Sequence, residues 1–231
     1  MTAKIRVTIL DDHQTIIDGY RFRLGNSPRV EVVSTLSYGD ELQSALEEHP
    51  TDVLLLDVSV PVSADNPSPY PILHVIPDLL QKYPNLAVLV ISMHAERGLI
   101  HAVMEAGASG YILKDDQSTL RDLENVVASV YSGGIHLSRK AHDILLRGGT
   151  VGNEPPLAKR QLEVLSLCLA NPDSTTTDLA RKMSISNSTV RNLLSGAYLK
   201  LGVRTRIAAV TKARQMGLIA PESPTVPHKR S

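Results

Sequence analysis

The sequence predicts two domains of different class, an α/β domain built on a five-stranded parallel sheet followed by an all-α domain of four helices. Three observations predict it. Apolar runs alternate with amphipathic stretches through the first 140 residues, the rhythm of parallel strands joined by crossover helices. A Gly/Pro-rich segment ending in Pro155-Pro156 interrupts that rhythm, and no convincing strand follows Leu157. Charge also reverses there: residues 1–140 hold 18 Asp/Glu against 11 Lys/Arg, whereas residues 156–221 hold 10 Lys/Arg against 3 Asp/Glu, although the 231-residue chain balances 24 against 24. Opposite signs on successive domains point to different partners, a cation or phosphate chemistry first and a polyanion second.

The expected strands are Ile5–Leu10, Val30–Ser34, Val53–Leu56, Ala87–Ile91 and Gly110–Leu113, rich in Val, Ile and Leu as strands buried on both faces should be. Between and after them, helices are expected over Thr15–Leu24, Gly39–His49, Ile72–Lys82, Leu99–Ala106 and Ser118–Tyr131. A short helix fits Arg139–Leu146, and the following Gly148-Gly149 to Pro156 has linker chemistry. The second domain reads as helices Lys159–Leu169, Thr176–Met183, Ser188–Leu201 and Thr205–Met216, with a disordered tail expected from Glu222.

No apolar run reaches the roughly 18 residues a membrane span needs, and no signal segment precedes Lys4 and Arg6. The single Cys168 allows neither an internal disulfide nor a Cys-based zinc cluster, so a reducing cytoplasm is expected. A G-x-G-x-x-G turn after the first strand and a G-x-x-x-x-G-K-[ST] loop are both missing, and the eight His residues show no zinc spacing; His13 and His49 read as loop or cap residues.

Polar residues fall at the carboxyl ends of the strands: Asp11-Asp12 after the first, Asp57 after the third, Ser92 at the fourth, Lys114 at the fifth. That edge is where open α/β sheets bind ligands, and a flavodoxin-like strand order puts Asp12 beside Asp57 at the switch point. Three clustered carboxylates call for a hard cation, for which magnesium is the natural choice. Lys114 and Ser92 would then hold the oxygens of a phosphoryl group on Asp57, the implied reaction being in-line phosphoryl transfer to that carboxylate.

In the basic domain, Thr176–Met183, a tight turn and a helix capped by Ser186 form a helix-turn-helix. The second helix offers Asn187, Ser188, Arg191, Asn192 and Ser195 on its polar side and Val190, Leu193, Leu194 and Ala197 toward the core. Arg suits guanine and Asn adenine in a major groove, while Arg181, Lys182, Lys200, Arg204 and Arg206 suit phosphates.

Asp11-Asp12-His13, Leu54 to Asp57 with Pro61, Ser92-Met93-His94 and Ala106 through Asp115 resemble the receiver domain of two-component response regulators, most closely the NarL/FixJ type, over residues 4–138. The resemblance implies Asp57 as phosphoacceptor, Asp11, Asp12, Asp57 and the Ser59 backbone carbonyl as magnesium ligands, Ser92 and Tyr111 as a switch pair and Lys114 as the phosphoryl contact. Leu157 to Leu165, Ser186 to Arg191, Lys200 to Val203 and Arg204 to Val210 are similar to the LuxR-type helix-turn-helix. This implies Ser188, Thr189, Arg191, Asn192, Ser195 and Lys200 as DNA contacts. Two departures stand out: a longer segment from Val62 to Pro71 after Asp57, and Leu194 and Ala197 where His and Asn are common in the second family.

The expected organisation is therefore a receiver at 1–138, a linker at 139–156, a LuxR-type domain at 157–221 and a tail at 222–231. The expected function is a regulator rather than an enzyme: phosphorylation by a sensor histidine kinase controls homodimerisation and binding to double-stranded DNA. Two alternatives remain open, an atypical dimeric regulator independent of phosphorylation and a magnesium-dependent phosphotransfer protein whose helical domain binds a partner.

Overall fold

A computed structural model describes residues 3–146, 157–216 and 218–219. The first domain runs β1 (Ile5–Leu10), α1 (Gln14–Gly25), β2 (Val30–Leu36), α2 (Leu42–Glu48), β3 (Val53–Leu56), β4 (Pro61–Ser63), β5 (Asn66–Pro69), α3 (Ile72–Lys82), β6 (Ala87–Ser92), α4 (Arg97–Glu105), β7 (Gly110–Leu113), α5 (Gln117–Arg121), α6 (Leu123–Tyr131), β8 (His136–Leu137) and α7 (Arg139–Leu146). The second runs α8 (Lys159–Ala170), α9 (Thr176–Met183), α10 (Asn187–Leu201) and α11 (Arg206–Gln215).

The main sheet is parallel throughout, in the order β2-β1-β3-β6-β7-β8. Alternate side chains of each strand face opposite layers. Val7, Ile9, Leu55, Leu89 and Ile112 pack against α1 and α6, while Leu10, Leu54, Leu56, Val88 and Val90 pack toward α3 and α4. The switch point lies between β1 and β3, where Leu10 pairs with Leu56. Asp11 and Asp57 leave the sheet side by side for that reason.

The structure departs from the sequence reading in four places. A sixth strand, β8, joins the edge at β7, so the sheet has six strands rather than five; at two residues it is too short to carry a pattern. The expected helix Ser118–Tyr131 is broken at Asp122, whose backbone (φ −102°, ψ 23°) leaves the helical region. The segment after Asp57 is an antiparallel hairpin, β4 with β5, rather than an irregular loop. It is seated by Tyr70, whose ring lies where a side chain on Gly39 would stand. Finally, the expected helix at Gly39 begins with a 3-10 turn over Gly39–Glu41, closed by Glu41 accepting from the Tyr38 amide at 3.1 Å.

In the second domain, Thr175 and Asp178 bond reciprocally at the start of α9. Ser184 turns the chain at φ 54°, and the Ser186 hydroxyl accepts from the Thr189 amide to start α10. Val164, Leu165, Leu179, Val190, Leu194 and Ala209 form its core. Residues 147–156 of the expected linker and the expected tail at 222–231 lie outside the described residues.

Candidate functional site

The carboxyl edge of the sheet gathers the predicted chemistry. Lys114, carried by the end of β7, places its Nζ 2.7 Å from Asp11 Oδ2 and 2.8 Å from Asp57 Oδ2. All three side chains are buried, and a buried cation shared by two carboxylates offsets charges that would otherwise repel. Burial pushes the Asp11 carboxyl above the usual carboxylate range against the opposing pull of Lys114. Burial also works against the Lys114 charge, but its bonds to Asp11 and Asp57 outweigh it and hold the ammonium above its ordinary value.

One ligand atom each from Asp11, Asp12, His13 and Asp57 lie within 4.8 Å of one another. Three of these are carboxylates, the oxygen donors a magnesium ion prefers, so the donor set fits that ion. His13 stands at the N-cap position of α1, as the loop or cap reading expected, and its Nδ1 is 2.8 Å from Asp12 Oδ1. Ser59, expected to contribute its carbonyl, directs its hydroxyl to His94 Nε2 at 2.9 Å.

Ser92 is buried, and its hydroxyl accepts from the His94 amide at 3.1 Å. The Tyr111 ring is already fully buried without a phosphoryl group, its hydroxyl donating to the His94 carbonyl at 2.8 Å, and burial pushes its pKa up to about 12. His94 therefore meets Ser59, Ser92 and Tyr111. Sequence reasoning quoted it only within a motif; three separate bonds to it could not be read from spacing.

The residues expected to contact DNA are brought together on α10, and two of them, Arg191 and Asn192, meet the first domain. Asn187, Ser188, Arg191 and Ser195 are buried, whereas Thr189 and Lys200 are exposed. The Arg191 guanidinium donates to the backbone carbonyls of Leu86 and of Asn85, the latter at 3.1 Å. Burial lowers its pKa to about 10. Asn187 Nδ2 lies 3.4 Å from Asn85 Oδ1, and Asn192 packs over Gly107, whose φ of +106° and lack of a side chain permit the approach. Arg191 Nε, Asn187 Oδ1, Asn192 Oδ1 and Ser195 Oγ are buried without a hydrogen-bond partner. α10 rests on α4, which also packs against α7.

Comparisons with known proteins agree with this architecture. The model of the response regulator receiver domain matches residues 7–125, and that of the luxR family of bacterial regulatory proteins matches residues 155–213. The chain is 29% identical to the transcriptional regulatory protein DegU of Brevibacillus brevis, over 94% of this chain and 95% of that protein. It is 27% identical to the DNA-binding transcriptional activator DevR/DosR of Mycobacterium tuberculosis, over 92% and 95%. A crystal form of the RcsB response regulator of Salmonella typhimurium superposes with a TM-score of 0.55 at 24% identity, covering 93% of this chain and all of that one, a likeness of fold. Among the described residues no helix is long and apolar enough to cross a membrane. With a receiver model spanning more than half its length and a LuxR-type model spanning the helices that follow, the chain belongs to the response-regulator family.

Proposed function

We propose that this protein is a transcription regulator in which phosphoryl transfer to Asp57 controls homodimerisation and sequence-specific binding to double-stranded DNA. Residues 1–138 act as the receiver, 139–156 as the link and 157–221 as the DNA-binding domain. The observation that carries the reading is the coexistence, on one chain, of the buried Asp11–Lys114–Asp57 cluster and of an α10 whose Arg191 and Asn192 lie against the receiver.

In the transfer, an Asp57 carboxylate oxygen forms a bond to phosphorus as the bond from phosphorus to a donor nitrogen, such as a phosphohistidine of a sensor kinase, breaks. Magnesium, held by Asp11, Asp12, Asp57 and the Ser59 carbonyl, would offset negative charge on the phosphoryl oxygens. Lys114 does the same from the other side, exchanging its contact with Asp57 for one with the phosphoryl group. The Ser92 hydroxyl is free to turn from the His94 amide toward a phosphoryl oxygen.

That turn reaches α10. His94 accepts from Tyr111 and is bonded to Ser59, α4 begins three residues later, and α10 packs on α4. A change at His94 tilts α4 and loosens the seat of Arg191, exposing the base-reading face; the two domain arrangements are the two states of the switch. Intact mass after incubation with a small phosphodonor and magnesium tests the first step. One added phosphoryl group on the wild type and none on Asp57→Ala is expected; equal labelling of both would refute the assignment.

The atypical reading makes the opposite expectation. If DNA affinity is identical with and without beryllofluoride, the receiver acts as a phosphorylation-independent dimerisation module.

A further inference from the structure

A second set of polar groups lies where the receiver's last elements meet the turn between α10 and α11. His136, in edge strand β8, and His142, on α7, each bury an Nε2 that has no hydrogen-bond partner. Both rings feel Arg204, which stands in that turn and makes no ion pair among the described residues. A cavity of about 270 Å³ separates His136 from Arg204, lined by Ser129 and Leu137 on the receiver side and by Thr205 on the other. The remaining charges facing these rings are Asp116 and Asp122 toward His136 and Asp143 toward His142, with the Gly202 backbone also against His142. Arg206 lines the adjoining cavity of about 370 Å³ and bonds the Ser174 carbonyl. The receiver thus presents two uncharged rings to a domain that presents arginine.

We propose that His136 and His142 make the docking of the two domains acid-sensitive: a proton on either ring sets a new cation against Arg204, and the DNA-binding domain is released. The proposal rests on the reading that the docked arrangement withholds α10 from DNA. It assigns the chain a second input, acidity, that bypasses Asp57.

The docked arrangement disfavours the protonated rings. Burial first, and Arg204 second, lower the His136 pKa from 6.5 to about 4, and the same two causes lower that of His142. A histidine whose pKa is depressed in the closed form stabilises that form above its free value and ceases to do so as pH falls through it. Closure is therefore complete above about pH 6.5 and is eroded progressively below it. If release restored His136 fully to its free value, the ratio of open to closed chains would rise about four-fold at pH 6 and about ten-fold at pH 5.5 relative to pH 8. These are upper bounds for that ring, because part of its burial comes from its own receiver, where the β8 backbone pairs with β7. His142 adds in the same direction.

The test measures opening and DNA binding separately, on the full unphosphorylated chain between pH 8 and pH 5.5. Small-angle scattering reports the separation of the domains, and titration of the operator duplex reports access to α10. The wild type is expected to expand and to bind several-fold more tightly as pH falls. The double variant His136→Gln/His142→Gln should hold its dimensions across the range. Arg204→Gln, an exposed position whose loss leaves the core intact, should reduce the expansion by removing the repelling charge, the effect of burial remaining. Scattering unchanged with pH in the wild type, or an equal expansion in all three proteins, overturns the proposal. Expansion without any gain in DNA binding upholds the acid-sensitive contact and instead overturns the reading that docking blocks α10.

Discussion

The phosphoacceptor pocket and the α10 contact are both clusters of buried polar side chains, and they are satisfied to different degrees. In the pocket, Lys114 stands within 2.8 Å of two carboxylates, so each buried carboxylate there has a cation beside it. At α10, Arg191 finds two backbone carbonyls, yet four polar atoms of the same helix find nothing. A buried unsatisfied polar atom costs about 1–3 kcal/mol, so this contact is held at a cost. On the proposed function, the pocket persists with its residues in place and the α10 contact is the one exchanged.

The largest expected effect concerns the pocket. Asp57→Ala should abolish phosphoryl labelling entirely while leaving DNA binding of the unphosphorylated chain unchanged, as read by intact mass and by titration; retained labelling would place the acceptor elsewhere. Next comes Arg191→Ala, which removes a guanidinium that the proposed function uses in both arrangements. It should cost about 1–3 kcal/mol on a specific duplex if its pairing with guanine is bidentate, and much less on a scrambled one. Equal losses on both duplexes would reduce Arg191 to a phosphate contact.

A smaller effect, of opposite sign, separates docking from reading. Asn85 is an exposed receiver residue whose carbonyl receives Arg191 and whose side chain meets Asn187. Asn85→Lys sets a cation against Arg191 without touching the second domain. It should tighten DNA binding of the unphosphorylated chain by about 1 kcal/mol, a several-fold gain in a titration. No gain would mean that docking does not compete with DNA.

The smallest effect returns to the pocket. Burial holds the Asp11 carboxyl above its ordinary range, so folding disfavours its charged form, and Asp11→Asn should raise the urea midpoint of the receiver slightly. It should also remove any stabilisation that magnesium gives. A stabilising effect of magnesium as large in the variant as in the wild type would take Asp11 out of the metal site.

Much of the pocket was legible because its residues sit where apolar strands stop. Once Ile5–Leu10 and Val53–Leu56 are recognised as neighbouring parallel strands, Asp11 and Asp57 have no freedom to be apart. The caps of the helical domain were equally legible, since Ser186 needs only the amide of Thr189 three residues on. What escaped notice depends on contacts distant in sequence. A helix face carrying Asn187, Arg191 and Asn192 looks the same in one sequence whether water, DNA or another domain covers it. Asn85 and Leu86, which accept from Arg191 through backbone carbonyls, carry no side-chain signature at all. The two-residue β8 follows Gly133-Gly134 and merged with linker composition for the same reason, its pairing with Gly110 and Tyr111 being set by the fold. The hairpin β4–β5 was hidden by its prolines, which argue against strand structure except at an edge.

Those prolines also govern how the molecule behaves in a crowd of its own copies. A two-stranded ribbon on a protein surface offers unpaired amides and carbonyls to any passing strand, and such ribbons seed association. Here Pro61 lies in one strand and Pro67 and Pro69 in the other, so each strand lacks amides that a third would need. Each missing amide is one hydrogen bond fewer for an incoming strand, so the hairpin beside Asp57 is a poorer template for assembly than its exposure alone would make it.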